Sequence, residues 1–278
     1  MSARQARIVL LATALCAAGC DTGPAERTLD NCGTTTGGGV PELFRRFFRC
    51  VDASADGQYV TLATEDLPPH RSYYYGAQSP NYEPFDTSRG AQYHPNPNLL
   101  SSKQIRVEVP VAPVDRGLTI SAGMVDGVVG TSASEYPLGP VGVALDGVAL
   151  FNPMAAPGAD IEQEKYTFDR YNAHPTGTGY YHYHAVSPGP LEVLQAVAPS
   201  TAELYGVMCD GTVVMGCQEL DGGAVQGALD AQGGHVHDVT GAGGELFLAA
   251  RYHVHICEGG SRKYTPEIQY YGECRVSG

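Results

Sequence analysis

Histidines in this 278-residue sequence come in pairs. His182-Tyr183-His184, His235-Val236-His237 and His253-Val254-His255 hold six of the nine. Side chains alternate between the two faces of a β-strand, so both imidazoles of a His-x-His pair point the same way. A strand of this kind offers two nitrogens to one ion, and imidazole suits zinc, copper, iron and nickel. His182, His184, His253 and His255 are expected to supply four nitrogens that close a tetrahedral or square site. His235, His237, His174 and His70 then form a second site or an outer shell. Asp238 and Asp169 are positioned to orient imidazoles by accepting their other N–H. Tyr181 and Tyr183 limit water access and donate hydrogen bonds. The metal ion is the expected partner, and the expected cofactor is copper or zinc.

Two other chemistries use the same residues. With three ligating histidines, an open position activates water for hydrolysis or binds oxygen at copper, giving a metal-dependent hydrolase or oxidase. Tyr181, Tyr183 and Glu245 are available for acid–base work, though no residue is marked as catalytic. Alternatively, the His/Tyr cluster is a metal-free hydrogen-bonded core in a structural or adhesive surface domain. Named patterns fit poorly. Multicopper oxidases need a cysteine flanked by histidines, which is absent, and cupins need a glutamate where Thr240 and Gly241 stand. No nucleophile elbow and no phosphate loop occurs. Glu162 and Glu164 read as a solvated charge run.

The elements that must carry these histidines look duplicated. Gly142-Val143-Ala144-Leu145-Asp146-Gly147 is echoed by Gly206-Val207-Met208-Cys209-Asp210-Gly211. In both, an apolar run enters an Asp-Gly turn and a second apolar run follows, which favours a hairpin. Two such units facing each other across a pseudo-twofold are expected to bring their His-bearing strands together. Further strands are expected at 58–63, 105–111 and 118–122. Short helices are expected at 41–51, 161–167 and 191–197; in the first, Pro41 opens the helix and Leu43, Phe44, Phe47, Phe48 and Val51 share a face. The Pro/Tyr-rich stretch 65–103, with His70 and His94, is expected to pack down on the domain. The fold class is therefore mostly β: antiparallel sheets in a sandwich-like or barrel-like arrangement, with an internal repeat and one or two short helices.

The formal net charge of −13 argues against nucleic acid or anionic lipid as a partner. Arg4 and Arg7 precede an apolar run at 8–14, and Ala17-Ala18-Gly19-Cys20 reads as a lipobox. Residues 1–19 are thus a lipoprotein-type signal peptide, and 20–55 a tether with a short helix. The product is expected in the cell envelope, periplasmic or surface-exposed, touching the membrane only through a lipid at Cys20. Cys32, Cys50, Cys209, Cys217, Cys257 and Cys274 remain, an even number suited to disulfides in an oxidising compartment. Sequence-neighbour pairing (32–50, 209–217, 257–274) is the simplest expectation.

These residues resemble the bacterial YHYH-domain proteins. The resemblance rests on Leu67-Pro68-Pro69-His70, on the block from Gly142 to Pro153, and on Ala173-His174-Pro175 before Tyr181-His182-Tyr183-His184. It continues through Tyr205-Gly206-Val207-Met208-Cys209-Asp210-Gly211 to Tyr252-His253-Val254-His255. It implies a domain over 56–278 that is exported and often lipidated, and it implies no particular activity. This sequence departs from the pattern at Val254, where tyrosine is usual, and at Tyr171-Asn172-Ala173-His174, where the family often has Cys-Gly-Gly-His.

Overall fold

The computed structural model describes residues 24–125, 134–155, 160–198, 201–260 and 262–278. The expected signal segment and Cys20 lie outside them. Thirteen strands form two sheets, and the described helices are few and short. The first sheet has the order β1-β2-β3-β4-β13: Thr35–Thr36, Asp52–Ala55, Tyr59–Thr64, Ile105–Pro110 and Arg275–Ser277. Alternation decides its faces. Val60 and Leu62 of β3 point inward with Ile105, Val107 and Val109 of β4, while the residues between them are more exposed.

The second sheet comprises β5 (Pro140–Ala144), β6 (Ala149–Phe151), β7 (Ala173–Pro175), β8 (Tyr181–Tyr183), β9 (Leu204–Met208), β10 (Val213–Met215), β11 (Gly234–Thr240) and β12 (Leu246–His255). Its order is β11-β12-β10-β9-β5-β6-β8-β7. β9 is buried throughout, as a central strand covered on both faces must be. One continuous hydrophobic core joins the two sheets in a sandwich-like arrangement. Neither sheet closes into a barrel, and the sheets are mixed instead of purely antiparallel. β1 pairs β2, β6 pairs β8 and β10 pairs β12 in parallel. The β6–β8 and β10–β12 pairs arise because the chain leaves each Asp-Gly hairpin and crosses over before it returns beside it.

The helices are α1 (Glu42–Phe47), α2 (Ile161–Glu164) and α3 (Pro188–Gln195). α1 buries Leu43, Phe44 and Phe47 in the core, with Pro41 just ahead of its first residue. Ser187 caps α3 by accepting from Gly189 N, and Asp160 caps α2 by accepting from Glu162 N. Residues 118–122, expected as a strand, join neither sheet; Ile120 is buried and its carbonyl accepts from Ala231 N at 3.3 Å. The segment expected as a tether docks from its first described residues. Arg27 N donates to Asn81 Oδ1, and the Cys32–Cys50 disulfide pins the segment to the residue before Val51. The other two bridges are Cys209–Cys274 and Cys217–Cys257, not the expected sequence neighbours. Cys217 and Cys257 follow the adjacent parallel strands β10 and β12, and Cys209 follows β9 while Cys274 precedes β13 of the other sheet.

The duplication is real and centred on the β5–β9 ladder. Val143 pairs with Val207, its own counterpart in the repeat, so a pseudo-twofold passes between them. Everything outward matches: Ala149 faces His182 across β6–β8, as Val213 faces His253 across β10–β12. His174 faces His182 on β7–β8, as His235 faces His253 on β11–β12. The His-bearing strands therefore lie at opposite ends of the sheet. The expected meeting of the two units' pairs does not occur, because the axis runs through the strands farthest from them.

Close approach at the axis demands glycine. A Cβ on Gly142 would stand 2.5 Å from Val207 O, and one on Gly206 2.3 Å from Val143 O. We expect Gly206→Ala to lower unfolding stability by at least about 2 kcal/mol through overpacking. Gly38→Ala, where nothing stands within 4 Å, is the comparison and should change little. Equal urea midpoints for the two variants would contradict a tight β5–β9 contact.

Candidate metal centres

Two clusters form, one at each end of the large sheet: His174, His182 and His184, and Glu219, His235, His253 and His255. Their ligand atoms lie within 4.8 Å of one another in each case. In the first, His182 Nε2 is 2.9 Å from His184 Nε2. The Nδ1 atoms are all engaged: His182 with Tyr180 O at 3.1 Å, His184 with Asn152 O at 2.6 Å, and His174 with Thr167 Oγ1 at 2.6 Å. A carbonyl can only accept, so His182 and His184 carry their proton on Nδ1. The Thr167 hydroxyl gives its one proton to Glu164 O at 2.8 Å, so it too accepts, from His174. Three Nε2 lone pairs thus face one space. Burial and the neighbouring His184 push the His174 pKa down to about 3, and burial pushes His184 down to about 4. His182 is driven well below its ordinary value by burial, then by His184 and His174. Protonation is thereby disfavoured as a way to separate the lone pairs.

The second cluster repeats this construction. His253 Nδ1 donates to Arg251 O at 3.0 Å and His255 Nδ1 to Gly216 O at 2.8 Å. These carbonyls are the repeat equivalents of Tyr180 O and Asn152 O. His235 Nε2 stands 2.7 Å from His253 Nε2 and 3.2 Å from His255 Nε2. Glu219 adds a carboxylate, Oε2 at 3.4 Å from His253 Nε2, and Oε1 at 3.4 Å from His255 and 3.5 Å from His235. Burial, with His253 and His255 nearby, brings His235 down to about 4. The Cys217–Cys257 disulfide brackets the cluster: Cys217 follows Gly216, and Cys257 lies two residues past His255.

The remaining expected site residues lie elsewhere. His70 is buried on the opposite face of β8, stacked on Tyr171 at 3.4 Å, with Nε2 3.3 Å from Tyr183 Oη. His237 is exposed and its ring is 5.9 Å from that of His235. Asp169 does not orient an imidazole; it accepts from Tyr181 Oη at 2.6 Å and Ser72 Oγ at 2.5 Å. Asp238 accepts from Ala250 N at 2.7 Å, bracing the irregular β11–β12 register. Tyr181 and Tyr183 point away from the first histidine cluster, and Tyr183 Oη donates to Asp146 Oδ2 at 2.8 Å. Period-2 alternation accounts for this: if the histidines face one way, the tyrosines between them face the other. Glu245 pairs with Arg46 at 2.5 Å, remote from both clusters.

Two acidic residues stand at the clusters without a signal in the sequence that places them there. Glu219 carries no motif; the turn after β10 and the Cys217 bridge place it. Glu164, expected in a solvated run, has Oε1 3.7 Å from His174 Nε2 and only a fifth of its side chain exposed. A partner supports the first cluster from below. Asp66 accepts from Ala149 N at 2.9 Å and Tyr181 N at 3.0 Å, tying β6 to β8. In the second unit Tyr271 Oη takes that place, accepting from Tyr252 N at 2.7 Å.

Residues 124–242 match a family model described as YHYH protein. A YHYH domain is therefore present. The match takes in the whole first cluster but stops before β12, so His253 and His255 of the second lie outside it. No curated protein and no solved structure matches the chain. The departure at Val254 has a local reason within the YHYH fold. Tyr183 donates to Asp146, whereas the equivalent Asp210 is already satisfied by Thr212 N, Thr212 Oγ1 and Tyr271 N, and needs no tyrosine.

Buried neutral imidazoles make the metal-free protein acid-sensitive. His70 and His174 are lowered to about 3, and His184 and His235 to about 4, from 6.5. The unfolded chain takes up protons first, so this stability is complete above pH 6.5 and is lost as pH falls through about 4 to about 3. Buried Asp146 and Asp169, raised to about 6 by burial, act in the opposite sense: their share is complete below 3.8 and lost through about 6. We expect the melting temperature of chelator-treated protein to fall below pH 6, and less steeply in His70→Gln, which leaves both clusters intact. Parallel profiles for the two proteins would contradict a buried neutral His70.

Proposed function

We propose that this protein is an exported, envelope-tethered carrier of two transition-metal ions, zinc or copper, one in each half of its duplicated sheet. The single observation that carries the reading is the convergence of Nε2 lone pairs on imidazoles whose Nδ1 protons are fixed by acceptors. Lone pairs 2.9 Å apart repel unless a cation or a proton lies between them, and burial opposes the proton. The fixed Nδ1–H bonds are also what metal-ligating histidines usually make. A metal-free histidine network would need donors aimed into the space, and in the first cluster the tautomers speak against that.

The two sites differ in kind. Three imidazoles and Glu219 give the second a complete set of four protein ligands, the composition of a structural or storage site. The first offers three imidazoles and keeps a position open. Export is supported by the three disulfides, which suit an oxidising compartment. Tethering rests on Cys20 and its lipobox context.

Protein purified without chelator is expected to hold two ions per chain by elemental analysis. His182→Ala/His184→Ala should hold one, and His253→Ala/His255→Ala should hold the other. Absence of uptake on titration with either zinc or copper would remove the reading. Because Cys217–Cys257 fixes Gly216 and Glu219 against His255, we also expect Cys217→Ser/Cys257→Ser to weaken the second site roughly ten- to a hundredfold, by analogy with loss of supporting contacts. Competition against a chromogenic chelator reads this out; an unchanged second site would show that the bridge has no part in ligand placement.

A further inference from the structure

The two halves are built alike, yet they treat their carboxylates differently. Glu219 follows Gly216 after a short turn and enters its ligand set. Glu164 follows Asn152 after a longer connection through α2 and stays outside its set, 3.7 Å from His174 Nε2. The space that Glu219 fills at one end is therefore left open at the other.

That opening leads somewhere. A cavity of about 540 Å³ is lined by His174, His182 and His184 together with Glu164. Its volume is in the range of small-molecule sites. At the other end, a cleft of about 620 Å³ reaches His235 alone among the four ligands. The cavity wall over the first cluster is chiefly apolar, with Leu138, Phe151 and Met154, and carries the neutral amides of Asn96 and Asn98. Among the described residues Glu164 is the one charged side chain on it. A phosphate or carboxylate substrate would find no basic side chain there and would meet Glu164 instead.

We propose that the first site is a hydrolytic centre for uncharged esters, with Glu164 as the proton acceptor of an ion-bound water. The proposal rests on the metal-binding reading above. A divalent ion held by three neutral imidazoles lowers the pKa of a bound water and leaves that water facing the cavity. Glu164 stands beside one ligand without occupying the ion's open position, where it can accept the water's proton. The resulting hydroxide adds to the ester carbonyl carbon. The tetrahedral adduct collapses with cleavage of the carbonyl C–O bond, and the departing alkoxide takes the proton from Glu164. Water and ester become alcohol and carboxylic acid, which releases its remaining proton to solvent as the carboxylate, with no oxidant or reductant. The carboxylate product, unlike the ester, is repelled by the regenerated Glu164.

The test uses the full folded protein loaded with two zinc ions per chain, with p-nitrophenyl butyrate as the uncharged ester and p-nitrophenyl phosphate as the charged one. We expect turnover of the butyrate above the buffer rate and none of the phosphate. Glu164→Gln, still holding two zinc ions, should lose about a hundredfold in kcat with KM unchanged, as for removal of a general base. Two bound zinc ions with no butyrate turnover would overturn the proposal, and so would an unchanged kcat in Glu164→Gln. Turnover of the phosphate at a comparable rate would overturn the substrate class. Failure of the His174, His182 and His184 site to take zinc would overturn the metal reading and this proposal together.

Discussion

A neutral imidazole has one N–H, and whatever its Nδ1 touches decides which nitrogen keeps a lone pair. In this sheet Tyr180 O, Asn152 O, Arg251 O and Gly216 O all touch Nδ1 atoms, and each can only accept. The consequence is collective: the Nε2 lone pairs of each cluster turn toward their own kind. In water such an arrangement would dissolve into alternative tautomers and rotamers. Here the rings are buried, and Phe151 stacks on His182 at 3.8 Å, so they cannot turn away. The fold thus holds repelling groups together, and under the proposed reading a bound cation would turn that repulsion into coordination.

The parallel strand pairs make this possible. β6 lies beside β8, and the residue just past β6, Asn152, presents its carbonyl to His184; β10 lies beside β12, and Gly216, just past β10, does the same for His255. The other carbonyl comes from the residue two before the first histidine of each pair. A single Asp-Gly hairpin followed by a crossover therefore supplies both anchors, which is why copying the unit copied the site. The pseudo-twofold through Val143 and Val207 then placed the copies at opposite ends of the sheet, out of each other's reach. Independence of this kind allows the two sites to diverge.

Much of this was legible in the sequence, and the limits are physical. Period-2 spacing correctly put His182 with His184 and His253 with His255, and the Gly142 and Gly206 blocks correctly announced a duplicated hairpin. Strands at 58–63 and 105–111 followed from alternation. What alternation cannot say is which strands sit at a symmetry axis, so the pairs were joined across units when each pair is completed by its own neighbouring strand, His174 on β7 or His235 on β11. Disulfide partners failed for the same reason: Cys217 and Cys257 are brought together by the β10–β12 ladder, a contact between strands distant in the chain. Glu219 has no signature in the sequence because a carboxylate in a turn follows no period, and Glu164 reads as solvated because its charged neighbours mask the turn of α2 toward His174. Asp169 and Asp238 looked like imidazole partners by proximity in sequence, but the pleat sends them to hydroxyl and backbone donors.

The two halves also reach rigidity by different means, and this bears on why one can remain open. A site with four protein ligands is held largely by the ion itself, since each ligand is restrained by the bond it makes. A site with three must be held by the protein if its open position is to stay open. The first unit meets that need through the long segment before β4. Tyr74 Oη donates to Thr167 O at 2.5 Å, fixing the residue whose hydroxyl sets His174, and Ser72 and Asp66 grip Asp169 and Tyr181 beneath the sheet. The second unit has no such segment; the Cys217–Cys257 and Cys209–Cys274 bridges and Tyr271 stand in its place. Covalent links at the sheet edge restrain the backbone but do not shape a cavity over the ion, whereas a packed loop does both. The Pro- and Tyr-rich stretch is therefore what shapes the cavity over the first cluster, where Asn96 and Asn98 line it.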